Sequence, residues 1–268
     1  MKKSPAISTL ISFISSLFIQ GQALSSTDIS LPTAILDNGL AYTEITQENA
    51  DTQIIFIHGS PGSKEGYSQY LNSSKLEFSN RISVDRIGYG ESLRPVELSL
   101  KKQALAIAPL LHSNKKNIIV GHSLGGPIAL YLGLLFPNKV DGLVIIAPAM
   151  NPELEKPKWY NQIADVSFIN WALTEKWSTS NQEMMVLEKE LNLLVSGSWG
   201  ALDIMEIVFI HGEKDSIADP RNTHFVIQKL KTDLPNQKNY RAMYPDEEHF
   251  ILWDNPNIII DQIIKLAK

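Results

Sequence analysis

The sequence predicts an α/β protein built on a doubly wound, mostly parallel β-sheet with a small helical insertion. Short, continuous runs of β-branched and other apolar residues recur along the chain, as they do in central strands that are buried on both faces. Stretches with the helical spacing of apolar residues alternate with these runs, which is the pattern of right-handed strand–helix–strand crossovers.

The composition narrows the class of protein further. The chain has 268 residues, of which 44% are hydrophobic, and its 24 Lys and Arg against 29 Asp and Glu leave a net charge of −5. It is too apolar for a disordered chain, and its mild acidity argues against a nucleic-acid partner. The absence of cysteine excludes disulfides, thiolate zinc sites and cysteine nucleophiles. No apolar run is long enough for a polytopic membrane protein.

The first 23 residues have the pattern of a signal peptide. Lys2 and Lys3 precede an apolar stretch over residues 7–19, and Gly21-Gln22-Ala23 offers small residues at the two positions that a signal peptidase inspects. We therefore expect export to the periplasm or outside the cell. Contact with a membrane is expected only through this segment, if it is not cleaved.

The structural elements of the remaining chain are expected in the following order. A hairpin is predicted at residues 34–42, because Asp37-Asn38-Gly39 is a turn sequence that tolerates positive φ. The apolar runs that predict strands are 53–57, 81–84, 117–120, 140–147, 207–210 and 239–244. The helical patterns cover residues 99–112, 124–136, 220–231 and 256–267.

One segment interrupts the alternation of strands and helices. Residues 150–203 contain no strand pattern and hold four of the five tryptophans, so they are predicted to form a helical cap inserted into the core. The core then consists of residues 24–149 and 204–268. Large apolar side chains in the insertion suit a roof over a bound apolar group, or the core of the cap itself. The candidate substrate-binding residues are Met150, Trp159, Trp171 and Trp177.

A nucleophile is predicted at Ser123. Gly121-His122-Ser123-Leu124-Gly125 follows a predicted strand and precedes an apolar helix, which is the context of a G-x-S-x-G nucleophile turn. The turn is sharp, so the residues two before and two after the serine must be small. The backbone N–H of Leu124 lies at the start of the helix, where it can face a developing negative charge.

The base and its orienting acid are expected later in the chain, each after a strand. Asp215 follows the strand at 207–210, and His249 follows the strand at 239–244, 34 residues further on. In this arrangement His249 accepts the proton of Ser123, and Asp215 holds the imidazole in the correct tautomer. Asp219 is the alternative acid, but its position next to Pro220 favours a role as helix N-cap.

The other histidines are assigned to structural roles. His122 is expected to pack beneath the sheet, and His58 and His211 are expected in turn or core packing. No set of His, Asp and Glu has the spacing of metal ligands, so neither a metal nor another cofactor is expected.

Taken in order, four motifs resemble those of the α/β-hydrolase superfamily across residues 33–268. They are His58-Gly59-Ser60-Pro61-Gly62, the stretch from Asp85 to Ser92, the turn at Ser123, and the pair of Asp215 and His249. The resemblance implies an eight-stranded sheet, a cap at residues 150–203, and oxyanion-binding N–H groups at Ser60 and Leu124.

The leading functional hypothesis is a carboxylesterase-like serine hydrolase acting on a small, apolar molecule through an acyl-enzyme on Ser123. A ligand-binding protein without catalysis, a perhydrolase and a carbon–carbon bond hydrolase stay open as alternatives. The serine argues against the related haloalkane dehalogenases and epoxide hydrolases, which use an aspartate nucleophile. The substrate and the oligomeric state are not predicted.

Overall fold

A computed structural model describes residues 31–158, 161, 175–237 and 239–268. The predicted signal peptide at residues 1–23 lies outside the described residues. None of the helices in the described ranges combines the length and the apolar character that a membrane crossing requires.

Eight strands form one sheet in the order β1-β2-β4-β3-β5-β6-β7-β8. The first two strands run antiparallel to their neighbours, and the six from β3 to β8 run parallel to one another, which confirms the predicted fold class. The strands are β1 Thr33–Ile35, β2 Ala41–Ile45, β3 Thr52–Ile57, β4 Ser79–Asp85, β5 Lys116–His122, β6 Gly142–Ile146, β7 Glu206–Ile210 and β8 Tyr240–Met243.

Seven helices occur in the described ranges. They are α1 Ser68–Leu71, α2 Leu100–Ile107, α3 Gly125–Leu135, α4 Glu175–Ser196, α5 Arg221–Asp233, α6 Ile251–Asp254 and α7 Pro256–Ala267. The helix predicted over 99–112 ends earlier, at Ile107, and a short 3-10 turn continues from Ala108 to Leu110. Pro109 explains the early end, because it has no N–H to donate to the helix.

The order of the strands reverses direction next to β3. The chain passes from β3 to β4 on one side, and β5 then pairs with β3 on the other side. In doubly wound sheets, a crevice opens at such a reversal, beyond the carboxyl ends of the strands. The turn that begins at His58 follows β3, and the turn at Ser123 follows β5. Both predicted site motifs therefore lie at the crevice.

The insertion between β6 and β7 contains the 22-residue helix α4. Three leucines of its second half, Leu187, Leu191 and Leu194, are buried and belong to the main hydrophobic core. Burial of a leucine side chain contributes about 1.5–3 kcal/mol, so this half of α4 is firmly packed in the main core. The structure does not test the bounds of the predicted cap, since residues 159–160 and 162–174 lie outside the described ranges.

Asn117 fixes the beginning of β5, the strand that leads to Ser123. Its side chain is fully buried and joins three parts of the fold. The amide oxygen accepts hydrogen bonds from Gln53 Nε2 on β3 and from the backbone N–H of His112, both at 3.0 Å. The amide nitrogen lies 2.7 Å from the carbonyl oxygen of Lys139, which precedes β6.

We expect Asn117→Ala to lower the free energy of unfolding by about 3 kcal/mol, because it leaves several buried backbone groups without partners. Urea denaturation followed by circular dichroism measures this loss. The matched control is Asn192→Ala, since Asn192 is exposed and, among the described residues, its side chain hydrogen-bonds only to a carbonyl of its own helix. Equal stability of the two variants would contradict the anchoring role of Asn117.

Candidate active site

Ser123 occupies a strained backbone turn between β5 and α3. Its φ is +52°, a left-handed conformation that residues with a side chain rarely adopt. The turn is held by the N–H of Ser123, which donates to the carbonyl oxygen of Ile146 at 2.9 Å, and by its carbonyl oxygen, which accepts from Gly126. Such strain is typical of positions that present a functional side chain.

The two glycines of the G-x-S-x-G motif are required by close backbone contacts. A β-carbon at Gly125 would lie closer than 3.0 Å to the carbonyl oxygens of Ile57 and His58, and one at Gly121 would meet the carbonyl oxygen of Gly125 within the same limit. Backbone atoms cannot move aside as flexible side chains can. The expectation that these positions must be small is confirmed.

Asp215 and His249, which were predicted to act together, form a direct hydrogen bond. The loops that follow β7 and β8 bring His249 Nδ1 to 2.7 Å from Asp215 Oδ2, and both side chains are buried. The other carboxylate oxygen accepts the backbone N–H groups of Ile217 and Ala218 at 2.8 and 2.9 Å. A proton on Nδ1 donates to the carboxylate, which leaves Nε2 of His249 as the free base.

His211 is a second partner of Asp215 that the sequence analysis assigned only to packing. Its Nε2 lies 3.2 Å from Asp215 Oδ2 and 2.8 Å from the carbonyl oxygen of Ala218. Its Nδ1 accepts the hydroxyl proton of Thr223. Burial raises the pKa of Asp215, but the hydrogen bonds from His211 and His249 outweigh that effect and hold it well below its usual range. The only hint in the sequence is that His211 lies four residues before Asp215.

His122, inside the nucleophile turn, is buried and contacts the predicted base, a contact that the sequence did not predict. Its Nε2 lies 3.1 Å from the carbonyl oxygen of His249, and the centres of the two rings are 4.8 Å apart. Burial and the nearby His249 lower the pKa of His122 to about 3. The ring is therefore neutral at physiological pH, with its Nε2–H donating to that carbonyl.

His122, the residue before Ser123, contacts His249, but Ser123 itself makes no hydrogen bond to His249 in this structure. Its Oγ has no hydrogen-bond partner among the described residues. The structure thus joins the acid and the base and brings His122, the residue before Ser123, into contact with the base. The transfer of a proton from Ser123 to His249 remains a prediction.

The predicted oxyanion donors, Ser60 and Leu124, have free backbone N–H groups. Within the described part of the chain, neither N–H makes a hydrogen bond. The turn that carries Ser60 also lies against the nucleophile, since a β-carbon at Gly59 would be 2.9 Å from Cβ of Ser123. Unpaired backbone N–H groups are rare in folded proteins, so these two are available to a ligand.

The predicted substrate-binding residues are only partly described. Met150 is fully buried in the core, and its backbone N–H donates to Asn222 Oδ1 at 2.8 Å. Trp177 is half-buried on α4, whereas Trp159 and Trp171 lie outside the described residues. Contact of these side chains with a substrate stays a prediction.

A small cleft lies beside Leu124, between α2 and α4. Its other lining residues are Glu97, Leu98, Leu100, Gln103, Glu183, Leu187 and Glu190. In the described ranges, no three His, Asp or Glu side chains are grouped so that they could hold a metal ion.

Asp219, the alternative acid, serves the following helix, as its position next to Pro220 predicted. Its Oδ1 accepts the backbone N–H of Arg221 at 2.9 Å, and its Oδ2 pairs with the guanidinium of the same residue. This carboxylate therefore satisfies the first turn of α5.

The relatives of this chain carry different names, among them esterase, lipase, synthase and acetyltransferase. The sequence matches the family described as alpha/beta hydrolase fold over residues 52–171. A segment of 103 residues is 41% identical to the pimeloyl-[acyl-carrier protein] methyl ester esterase of Wigglesworthia glossinidia brevipalpis and covers 37% of each chain. Another of 110 residues is 26% identical to the sn-1-specific diacylglycerol lipase ABHD11 of Danio rerio, covering 40% of this chain and 35% of the relative. The chain spans little more than a third of these relatives' length.

Solved structures match over most of the chain. Mouse alpha/beta hydrolase domain-containing protein 10 superimposes with a TM-score of 0.63 at 20% identity, covering 88% of this chain and 98% of the other. A lipase-esterase related protein from Clostridium acetobutylicum superimposes with a TM-score of 0.62 at 17% identity, covering 85% and 99%. At these identities the likeness establishes the fold.

We expect Gly125→Ala to destabilise the protein by about 3 kcal/mol, because its methyl group would push α3 away from the end of β3. Thermal unfolding followed by circular dichroism measures the loss. Gly200→Ala is the matched control, since a β-carbon there meets its nearest atom at an ordinary 3.5 Å. An unchanged melting temperature for Gly125→Ala would show that the two backbones are not in contact.

The lowered pKa of Asp215 links stability to pH. The pKa of an aspartate in an unfolded chain is about 3.9, so the stabilisation from this carboxylate is complete above that value and is lost as the pH falls toward the lower folded pKa. We expect the difference in unfolding free energy between the wild type and Asp215→Asn to shrink as the pH falls from 5 to 3. Urea titrations at each pH measure this difference, with the exposed Asp246→Asn as control. A difference that stays constant over this range would contradict the lowered pKa.

Proposed function

Because the chain belongs to the α/β-hydrolase superfamily, we propose that it is a carboxylesterase-like serine hydrolase that cleaves an ester or related acyl bond of a small, apolar substrate. One observation carries the proposal, namely the 2.7 Å hydrogen bond between His249 and Asp215 near the strained Ser123. A protein that only binds a ligand has no need of a buried acid–base pair together with a nucleophile turn whose serine is partly accessible.

In the proposed reaction, Ser123 Oγ attacks the carbonyl carbon of the substrate while its proton passes to Nε2 of His249. The imidazolium that forms is stabilised by the ionised Asp215. His249 then returns the proton to the leaving alcohol as the bond between carbonyl carbon and alcohol oxygen breaks. The product of this half-reaction is an acyl-enzyme on Ser123. Water, activated by the same histidine, then hydrolyses it to the acid and restores the serine.

The negative charge that develops on the carbonyl oxygen is assigned to the N–H groups of Ser60 and Leu124. Both lack a partner among the described residues, and Leu124 immediately precedes α3, whose N-terminus adds a partial positive charge. Loss of one such donor costs about 3–4 kcal/mol in the transition state. These donors favour a reaction with a tetrahedral, oxyanion-bearing intermediate.

The proposed substrate class follows from the surroundings of the donors. Leu98, Leu100 and Leu187 lie with Leu124 around a small cleft, which gives this donor apolar neighbours beside four polar ones. The predicted substrate-binding residues are proposed to add an apolar surface; they are Met150, Trp159, Trp171 and Trp177. The relatives named esterase and lipase support an ester as the bond that is cleaved.

We expect a fluorophosphonate probe to label the wild type and not Ser123→Ala, because only the serine alkoxide can attack the phosphorus. We expect hydrolysis of p-nitrophenyl esters to fall at least about 10⁴-fold in Ser123→Ala and in His249→Ala. Mass spectrometry of the labelled protein and absorbance at 405 nm provide the two measurements. A series of acyl lengths then identifies the preferred chain.

The matched control is His112→Ala, which removes an exposed histidine that precedes β5, whereas Ser123 follows that strand, and which leaves both readouts unchanged. A folded wild type that takes up no probe would overturn the proposal in favour of ligand binding without catalysis. Labelling at Ser123 without release of p-nitrophenol from any ester would overturn the esterase assignment and favour carbon–carbon bond cleavage.

A further inference from the structure

A buried ion pair connects the inserted helix α4 to the turn that carries Ser60. Arg86 follows β4 and is fully buried, and its guanidinium forms a two-point contact with the carboxylate of Glu183 on α4, which is also buried. Glu183 in addition accepts the hydroxyl proton of Tyr89 at 2.6 Å. A buried charge requires a partner of this kind, so Arg86 holds its position only while α4 supplies Glu183.

The same guanidinium holds the backbone of the Ser60 turn. Arg86 Nε donates to the carbonyl oxygen of His58 at 3.0 Å, and Nη2 donates to the carbonyl oxygen of Gly59 at 2.8 Å. The Nδ1 of His58 lies 2.7 Å from the same carbonyl oxygen of Gly59. Two donors therefore converge on one carbonyl group, directly before Ser60.

His58 can donate to the carbonyl oxygen of Gly59 because its ring is neutral and carries a proton on Nδ1. Burial and the adjacent Arg86 lower the pKa of His58 well below its usual range. A neutral ring has one donor and one acceptor nitrogen, and both are used here. Nδ1–H donates to Gly59, while Nε2 accepts the backbone N–H of Arg86 at 3.1 Å.

The direction of the Gly59 carbonyl determines the direction of the Ser60 N–H. The two groups belong to one peptide unit, which is planar, and in a trans unit the C=O and the N–H point to opposite sides. The two hydrogen bonds to the carbonyl oxygen of Gly59 therefore also fix the direction of the Ser60 N–H. That N–H remains free of partners in the described part of the chain.

We propose that Glu183 is a positioning residue for the oxyanion site: through Arg86 it fixes the Gly59–Ser60 peptide, so that α4 of the insertion determines where the N–H of Ser60 points. This inference rests on the proposed function, in which that N–H binds the developing oxyanion. The side chain of Ser60 strengthens the connection, since its Oγ lies 2.9 Å from the hydroxyl of Tyr89 and 3.0 Å from Ser180 Oγ on α4.

The kinetic test compares Glu183→Gln with Glu188→Gln. Glutamine keeps the shape and one acceptor oxygen of Glu183 but removes the charge that holds Arg86. Glu188 lies on the same helix and makes no ion pair among the described residues. Titration with the fluorophosphonate probe counts the competent sites, so that kcat is expressed per folded enzyme and a loss of stability does not enter it.

We expect Glu183→Gln to lower kcat per titrated site at least about tenfold, with KM changed less than twofold, because the oxyanion donor acts on the transition state and not on substrate binding. Glu188→Gln is expected to match the wild type. An unchanged kcat per titrated site in Glu183→Gln would overturn the proposal.

A second measurement needs no turnover and is therefore independent of the proposed function. The sequence has three Gly-Ser pairs, Gly59-Ser60, Gly62-Ser63 and Gly197-Ser198. Labelling with 13C-carbonyl glycine and 15N-serine gives three signals in an HNCO spectrum, and Ser60→Thr identifies the one from Gly59-Ser60. We expect Glu183→Gln to shift that signal and to leave the signal of Gly197-Ser198 in place.

The two experiments fail in distinguishable ways. A Gly59-Ser60 signal that does not move in Glu183→Gln overturns the positioning role of Glu183, whatever the activity. A signal that moves in a protein without serine-dependent turnover supports the positioning role of Glu183 and overturns the proposed function alone.

Discussion

The structure of the site depends on how closely the first turn of α3 approaches the end of β3. This approach is possible only because Gly121 and Gly125 have no side chains, so that the backbones of two neighbouring elements come into direct contact. The contact forces Ser123 into a left-handed conformation and brings it against the turn at Gly59. The nucleophile and one of its two candidate oxyanion donors are therefore positioned by the same steric constraint.

The remaining groups reach this point from three different parts of the chain. The parallel strands deliver Asp215 and His249 to the same edge of the sheet, and α4 supplies Glu183, which is connected to the Ser60 turn through Arg86. Every one of these groups is buried and paired, which restricts each side chain to one orientation. The nucleophile is the exception, since Ser123 Oγ has no partner in the described ranges.

The sequence predicted the strands because central strands of a parallel sheet are continuous apolar runs, and it predicted Ser123, Asp215 and His249 because each follows such a run. It did not predict that His211 shares Asp215, or that the ring of His122 contacts His249. Both contacts depend on the direction of a side chain after folding, which neither periodicity nor spacing encodes. The pairing of Arg86 with Glu183 joins residues 97 positions apart, and no local pattern marks either residue as the partner of the other.

Two sets of buried side chains on α4, three leucines and Glu183, determine how this helix behaves during denaturation. Leu187, Leu191 and Leu194 fill the main core, and Glu183 neutralises a cation that no water molecule can reach. Detaching α4 would leave a cavity in the core and would also leave Arg86 as a buried charge without its partner Glu183. The helix is thus expected to be lost together with the sheet in a single cooperative step, and it cannot swing as an independent lid while the rest of the molecule stays folded.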